Sequence, residues 1–72
     1  MKLSRALNAS IATLSRHGVE DPLNEAVVLL GRAVGLDRAA IYASGERELT
    51  QVEQAKLKKL VKRRLAGEPS TA

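Results

Sequence analysis

Apolar residues recur along this chain at intervals of three and four, the spacing that places side chains on one face of an α-helix. The first such set is Leu3, Leu7, Ile11 and Leu14. Gly18 follows where a left-handed residue would stop the helix, because glycine adopts that conformation without a penalty from a Cβ atom. The pattern therefore predicts a first helix over residues 4–17.

A second helix is predicted to begin at Asp21 and Pro22, since aspartate caps free backbone N–H groups and proline suits the first helical position. Its apolar face comprises Leu23, Ala26, Val27, Leu30 and Val34, and it is widened by Val28 and Leu29. Gly35 followed by Leu36 is typical of a Schellman ending. An apolar stripe this wide indicates that the second helix is central and the most buried.

A short third helix is predicted over residues 38–43, with Asp37 as its cap. It would pack through Ile41, and Tyr42 is a second candidate for that contact. The polar residues 44–48 then form a loop before the last predicted helix.

The fourth helix is predicted from Thr50 and Glu53, which have the spacing of a capping box, each side chain serving the other's backbone N–H group. One side of this helix carries Val52, Leu57, Leu60 and Val61, joined by Leu65. Gly67 would close it, and Pro69 would prevent its continuation because proline has no N–H group to donate.

These elements predict an all-α fold, a compact bundle of four to five short helices with short connections. No stretch alternates with a period of two, so no strand is expected. The 72 residues suffice for one small domain, rich in the helix formers leucine and alanine with eleven of each. We place this domain at residues 1–69.

Composition narrows the class of protein. The chain has no cysteine, so neither a disulfide framework nor a thiolate metal site is expected. No apolar run approaches the roughly 20 residues that span a bilayer, and the first residues do not resemble a secretory signal. We therefore expect a soluble, cytoplasmic protein with no membrane partner.

The positive charge of the chain is concentrated in the fourth helix. Residues 1–55 carry six positive and seven negative side chains, whereas residues 56–72 carry six positive and one negative. Lys56, Lys59 and Arg63 form one stripe at helical spacing, and Lys58 with Lys62 forms a second. A protein surface, nucleic acid and plain solvation all remain open as interpretations. No aromatic residue for base stacking is interleaved with the basic residues, and the third helix is short and lacks the polar face of a recognition helix, so nucleic acid is the less favoured ligand.

No catalytic constellation is evident in the sequence. His17 is the sole histidine, and its position near the end of a helix fits an interaction with the helix dipole better than general-base catalysis. Asp21 and Asp37 are better explained as helix caps than as paired carboxylates. There is no glycine-rich phosphate loop and no clustered set of metal ligands. We therefore predict that this chain by itself is not an enzyme and holds no cofactor.

The order of these features resembles the N-terminal domain of the release-factor glutamine methyltransferases, the HemK/PrmC family. Residues 63–69, RRLAGEP, are similar to the Arg-Arg-x-x-Gly-Glu-Pro junction of that family. Residues 25–30, EAVVLL, are similar to its acidic-Ala-x-x-Leu-Leu helix. Gly35 to Arg38 and the Leu49–Thr50 pair follow at the expected distances.

The resemblance implies a role beside a catalytic domain. Enzymes of this family transfer a methyl group from S-adenosylmethionine to the glutamine of the Gly-Gly-Gln motif in class-1 peptide-chain release factors. Their chemistry lies in a C-terminal Rossmann-like domain with an Asn-Pro-Pro-Tyr motif, which does not occur in this sequence. Residues 70–72 would begin the linker to that domain, although their polar character departs from the family's usual apolar and aromatic continuation.

Two partners are therefore expected: a class-1 release factor and the C-terminal methyltransferase domain, which would bind the S-adenosylmethionine. The candidate residues for contact with either partner are Lys59, Lys62, Arg63, Arg64 and Glu68. The alternative is a small nucleic-acid-binding helical module that uses the basic helix over residues 56–64.

Overall fold

A computed structural model of the chain describes residues 1–67. It contains four helices: α1 (Leu3–Arg16), α2 (Pro22–Val34), α3 (Arg38–Ala43) and α4 (Gln51–Leu65). The described part of the chain has no β-strand, apart from an isolated antiparallel bridge between Lys2 and Glu48. The predicted all-α fold is confirmed. Glu68, the predicted helix stop Pro69 and the predicted linker at 70–72 lie outside the described residues.

The ends of the helices follow the signals in the sequence. Asp21 accepts a hydrogen bond from the backbone N–H of Asn24, and Asp37 accepts one from Ala40 at 2.8 Å. The backbone is left-handed at Gly18 and Gly35, with φ of 77° and 73°. These residues end the first two helices where the sequence predicted, although α1 starts one residue earlier and ends one residue earlier than expected.

The second helix is the centre of the domain, as predicted. It packs against α1, α3 and α4, whereas α1 and α4 contact each other much less. The fully buried side chains Leu3, Leu14, Leu29, Leu30 and Ile41 form the middle of the core. The first and last helices therefore both lie on α2, and the short α3 packs on α2 as well.

Three apolar residues that the sequence assigned to packed faces lie at the surface. Leu23 is 45% exposed, Tyr42 is 54% exposed and Val52 is 66% exposed. Leu23 and Val52 occupy the first turn of their helices, before the first buried residue of each helix, Ala26 in α2 and Leu57 in α4. The helical spacing of Leu23 and Val52 was predicted correctly. Their burial was predicted wrongly, because the apolar face was extended into the first turn of each helix.

The N-terminus is fastened to the loop that precedes α4. The N–H of Leu3 donates to the carbonyl oxygen of Arg47 at 2.8 Å, and the N–H of Leu49 donates to that of Met1 at 2.9 Å. Lys2 also forms a 2.7 Å ion pair with Glu46. These contacts hold the starts of α1 and α4 next to each other. None of the helices within residues 1–67 is long and apolar enough to cross a membrane.

Candidate protein-docking surface

The start of α4 is held by local polar contacts. The N–H of Glu53 donates to the hydroxyl oxygen of Thr50 at 3.1 Å, and the N–H of Thr50 donates to the Glu53 carboxylate at 3.0 Å. Arg47 adds an ion pair to the same carboxylate at 2.7 Å. The backbone hydrogen bond from Thr50, and then the Arg47 guanidinium, hold the pKa of Glu53 below its usual value. The predicted capping box is confirmed, and it fixes where the basic helix begins.

Near its end, α4 is joined to α2 by an ion pair. Nε of Arg64 lies 3.2 Å from a carboxylate oxygen of Glu25, and both side chains are largely shielded from solvent. Arg64 was predicted to contact a partner or a neighbouring domain, and in this structure it contacts α2. Its guanidinium is therefore engaged within the domain, between α4 and α2.

The other predicted contact residues in the described part of the chain are solvent-exposed: Lys59, Lys62 and Arg63. Lys59 and Arg63 lie four residues apart and therefore on one face of α4. Lys62 lies on a different face, four residues after Lys58. The structure thus separates the predicted residues. Lys59 and Arg63 share one exposed face of α4, Lys62 lies on another, and Arg64 pairs with α2. The fifth, Glu68, lies outside the described residues.

A groove runs between α1 and α4 on the side of this pair away from α2. Its volume is about 480 Å³, and small or apolar side chains form most of its lining. Ala6, Leu49 and Leu57 are buried at its floor. Ala9 on α1 and Ala55 on α4 are exposed on its two walls. We refer to this feature as the α1–α4 groove.

Positive charge borders the α1–α4 groove on both walls. Lys58 lines the α4 wall, and Lys62 follows one turn later. On α1, Arg5 lies four residues before Ala9 and Arg16 lies seven residues after it, which places both on the Ala9 face. All four cations are exposed, and α1 contains no acidic residue. The arrangement favours an acidic ligand with an apolar contact face.

The sequence reasoning missed the α1–α4 groove. Alanine entered the sequence analysis only as a residue type of high helix propensity. The available signal was the small size of four positions at helical spacing, Ala6, Ala9, Ser10 and Thr13. Small side chains on one helix become a groove only when a second helix lies beside them, and that placement depends on the tertiary structure.

His17 has the environment expected of a helix end. Its Nδ1 lies 2.9 Å from the carbonyl oxygen of Thr13, which can only accept, so the ring donates this hydrogen bond. Within residues 1–67, no group of three or more histidine, cysteine, aspartate or glutamate side chains is arranged to hold a metal ion.

Comparison with known proteins identifies the family. The model of the PrmC N-terminal domain matches residues 5–71. A release factor glutamine methyltransferase of Moorella thermoacetica is 39% identical over 69 residues, which cover 96% of this chain and 24% of that protein. One from Koribacter versatilis is 34% identical over 70 residues, covering 97% of this chain and 25% of that protein.

A third relative carries the same name. The release factor glutamine methyltransferase of Bradyrhizobium diazoefficiens is 38% identical over 58 residues, covering 81% of this chain and 20% of that protein. The chain thus spans about a quarter or less of the length of these relatives. No solved structure matches the chain significantly. Because the family match extends over residues 5–71, the chain belongs to the PrmC N-terminal domain family, the N-terminal domain of release factor glutamine methyltransferases.

Proposed function

We propose that this domain docks class-1 peptide-chain release factors, so that a catalytic domain in the same enzyme can methylate the glutamine of their Gly-Gly-Gln motif. The observation that carries the proposal is the family match over residues 5–71, together with relatives named for release factor glutamine methylation. In this proposal S-adenosylmethionine binds to the catalytic domain and methylation takes place in the cytoplasm, where release factors act.

The physical role assigned to the domain is orientation. Holding a large substrate so that one glutamine faces the methyl donor turns an encounter into an effectively intramolecular reaction. A linked docking module also raises the local concentration of the substrate, so its own affinity can be modest. The exposed cations of α4, Lys59, Lys62 and Arg63 among them, would supply steering toward an acidic partner surface.

The test compares a large and a small substrate. A full-length release factor glutamine methyltransferase that carries this domain is assayed with and without residues 1–67, on an intact release factor and on a short peptide containing Gly-Gly-Gln. We expect kcat/KM for the intact factor to fall roughly tenfold or more without the domain, and kcat/KM for the peptide to change less than about twofold.

Two results would contradict docking. An equal loss on both substrates would mean that the domain supports the folding of the catalytic domain. Unchanged kinetics on the intact release factor would mean that the domain contributes nothing to the recognition of this substrate.

A further inference from the structure

The arrangement of the helices leaves one side of the α1–α4 pair uncovered. The second helix fills one side of this pair, and α3 packs on α2. In a bundle of four long helices, the fourth helix would lie against both α1 and α4 on the side opposite α2. Because α3 has only six residues and packs on α2, no helix within residues 1–67 occupies that position, and the α1–α4 groove forms its floor.

The dimensions of the groove suit a short helix. Its lining on α1 extends from Ala6 to Thr13, which is about 10 Å at 1.5 Å per residue. That length corresponds to about two turns of a partner helix lying along the groove. Alanines at the walls, Ala9 and Ala55, allow a close approach, since helices packed through small residues lie near the lower end of the usual separation of about 8–10 Å.

The positive charge of the residues along the two helices favours a ligand with negatively charged side chains. On α4, Lys58 lines the groove and Lys62 lies one turn later. On α1, Arg5 and Arg16 are outside the lining but lie at helical spacing from Ala9, which is part of it. None of the four forms an ion pair with another residue of the described part of the chain. Their charge is therefore available to a ligand that has carboxylates on both sides of an apolar stripe.

We propose that the α1–α4 groove binds an acidic amphipathic helix of a partner protein. This inference rests on the proposed function, which identifies the partner as a class-1 release factor. The partner helix lays small apolar side chains on the floor formed by Ala6, Leu49 and Leu57. Its flanking carboxylates face Lys58 on one wall and the α1 arginines on the other, the helix-in-groove mode of recognition.

The experiment is an NMR titration of the isotope-labelled chain with an intact class-1 release factor at about 150 mM salt, near physiological ionic strength. We expect the backbone amide shifts to concentrate on residues 6–13 and 54–62. Ala9→Trp, which fills the groove, should weaken binding roughly tenfold or more, whereas Ala39→Trp, the same change on the exposed surface of α3 and outside the lining, should change it less than about twofold.

A second pair of variants tests the charge. Lys58→Glu places a carboxylate on the groove wall and should weaken binding roughly tenfold, because it repels the acidic helix. Lys56→Glu introduces the same charge change two residues away, on the other side of α4, and should weaken binding less than about threefold. Circular dichroism of each variant checks that the helices remain folded.

Each other outcome overturns the proposal in a distinct way. Equal losses for Ala9→Trp and Ala39→Trp, or shifts confined to the Lys59 face, would leave docking intact but move it away from the groove. Groove shifts that vary when the unliganded chain is diluted would identify a second copy as the occupant. Displacement of the release factor by a single-stranded oligonucleotide, lost steeply between about 50 and 200 mM salt, would identify nucleic acid.

A titration with no shifts overturns the groove proposal alone. The kinetic comparison with and without residues 1–67 then still decides whether the domain docks the release factor, because it does not depend on the binding strength of the separate chain.

Discussion

The helices α2 and α4 have similar lengths, thirteen and fifteen residues, but different parts of the molecule hold them in place. Five residues of α2 are buried: Ala26, Val27, Leu29, Leu30 and Ala33. In α4 only Leu57 is buried. The stability of α2 therefore comes from packing on its neighbours. The packing of α4 uses Leu57 and the half-buried Leu60, Val61 and Leu65. Its capping box and its ion pair to Glu25 are added to this smaller buried face.

This difference separates stability from binding. Every substitution on the buried face of α2 disturbs the core, so that helix has little freedom to evolve a contact surface. The exposed side of α4 carries cations whose replacement costs the fold little. Compared with α2, α4 leaves more of its surface exposed, and this exposed surface together with that of α1 forms the candidate docking surface.

The largest expected effect is the loss of a core side chain from α2. Leu30 is 0% exposed, so Leu30→Ala should lower the free energy of unfolding by about 2–5 kcal/mol through lost burial and a residual cavity. A domain of this size has about 4–11 kcal/mol in total, so much of its stability would disappear. Urea unfolding followed by circular dichroism measures the change.

Leu23→Ala is the matched control, the same chemical change in the same helix. Leu23 is 45% exposed, so we expect a loss below about 1 kcal/mol. Equal losses for the two leucines would mean that the first turn of α2 is packed in solution, and the contrast between buried and exposed positions of this helix would fail.

A smaller effect is expected at Gly31, where α2 approaches the residues that follow it. A Cβ atom on Gly31 would lie 2.6 Å from the carbonyl oxygen of Leu36. Alanine usually stabilises a helix relative to glycine by about 1 kcal/mol, but here the clash should reverse the sign and cost about 1–3 kcal/mol. Thermal unfolding of Gly31→Ala measures the net change.

Gly45→Ala provides the comparison for this backbone effect. The nearest atom to its added Cβ would be Cβ of Ser4 at 3.5 Å, an ordinary contact. Its free energy of unfolding should therefore stay within about 1 kcal/mol of the unchanged chain. A stabilised Gly31→Ala variant would show that the α2–α3 connection can move aside.

The sequence predicted the fold well because most of its signals are local. Asp21, Gly35, Asp37 and the Thr50–Glu53 pair act on backbone groups within a few residues, so each could be identified without knowing the neighbouring helices. The packing of one helix against another could not be predicted from such local signals. The exposure of Val52 and the α1–α4 groove both depend on which helices lie side by side, and one helix's periodicity does not contain that information.

The candidate site was predictable in composition but not in arrangement. The sequence located the basic segment, yet periodicity alone did not distinguish Arg64, which pairs with Glu25 at 3.2 Å, from the exposed Lys59. That distinction requires the position of α2 beside α4. Likewise, Arg5 and Arg16 joined the candidate surface only when α1 was placed next to Lys58.

The smallest expected effect concerns the local contacts that hold α4. Because hydrogen bonding from Thr50 and the charge of Arg47 lower the pKa of Glu53 in the folded state, the unfolded chain binds a proton at Glu53 more readily. The contribution of this carboxylate to stability is thus fully present above its ordinary pKa of 4.5 and is lost as the pH falls through the lower, folded value.

Glu53→Gln removes this titration but keeps an acceptor for the capping hydrogen bond. Urea unfolding of both proteins between pH 7 and pH 3 should find the original chain more stable at neutral pH and the difference shrinking in acid, whereas a constant difference would mean that shape, and not charge, holds the start of α4.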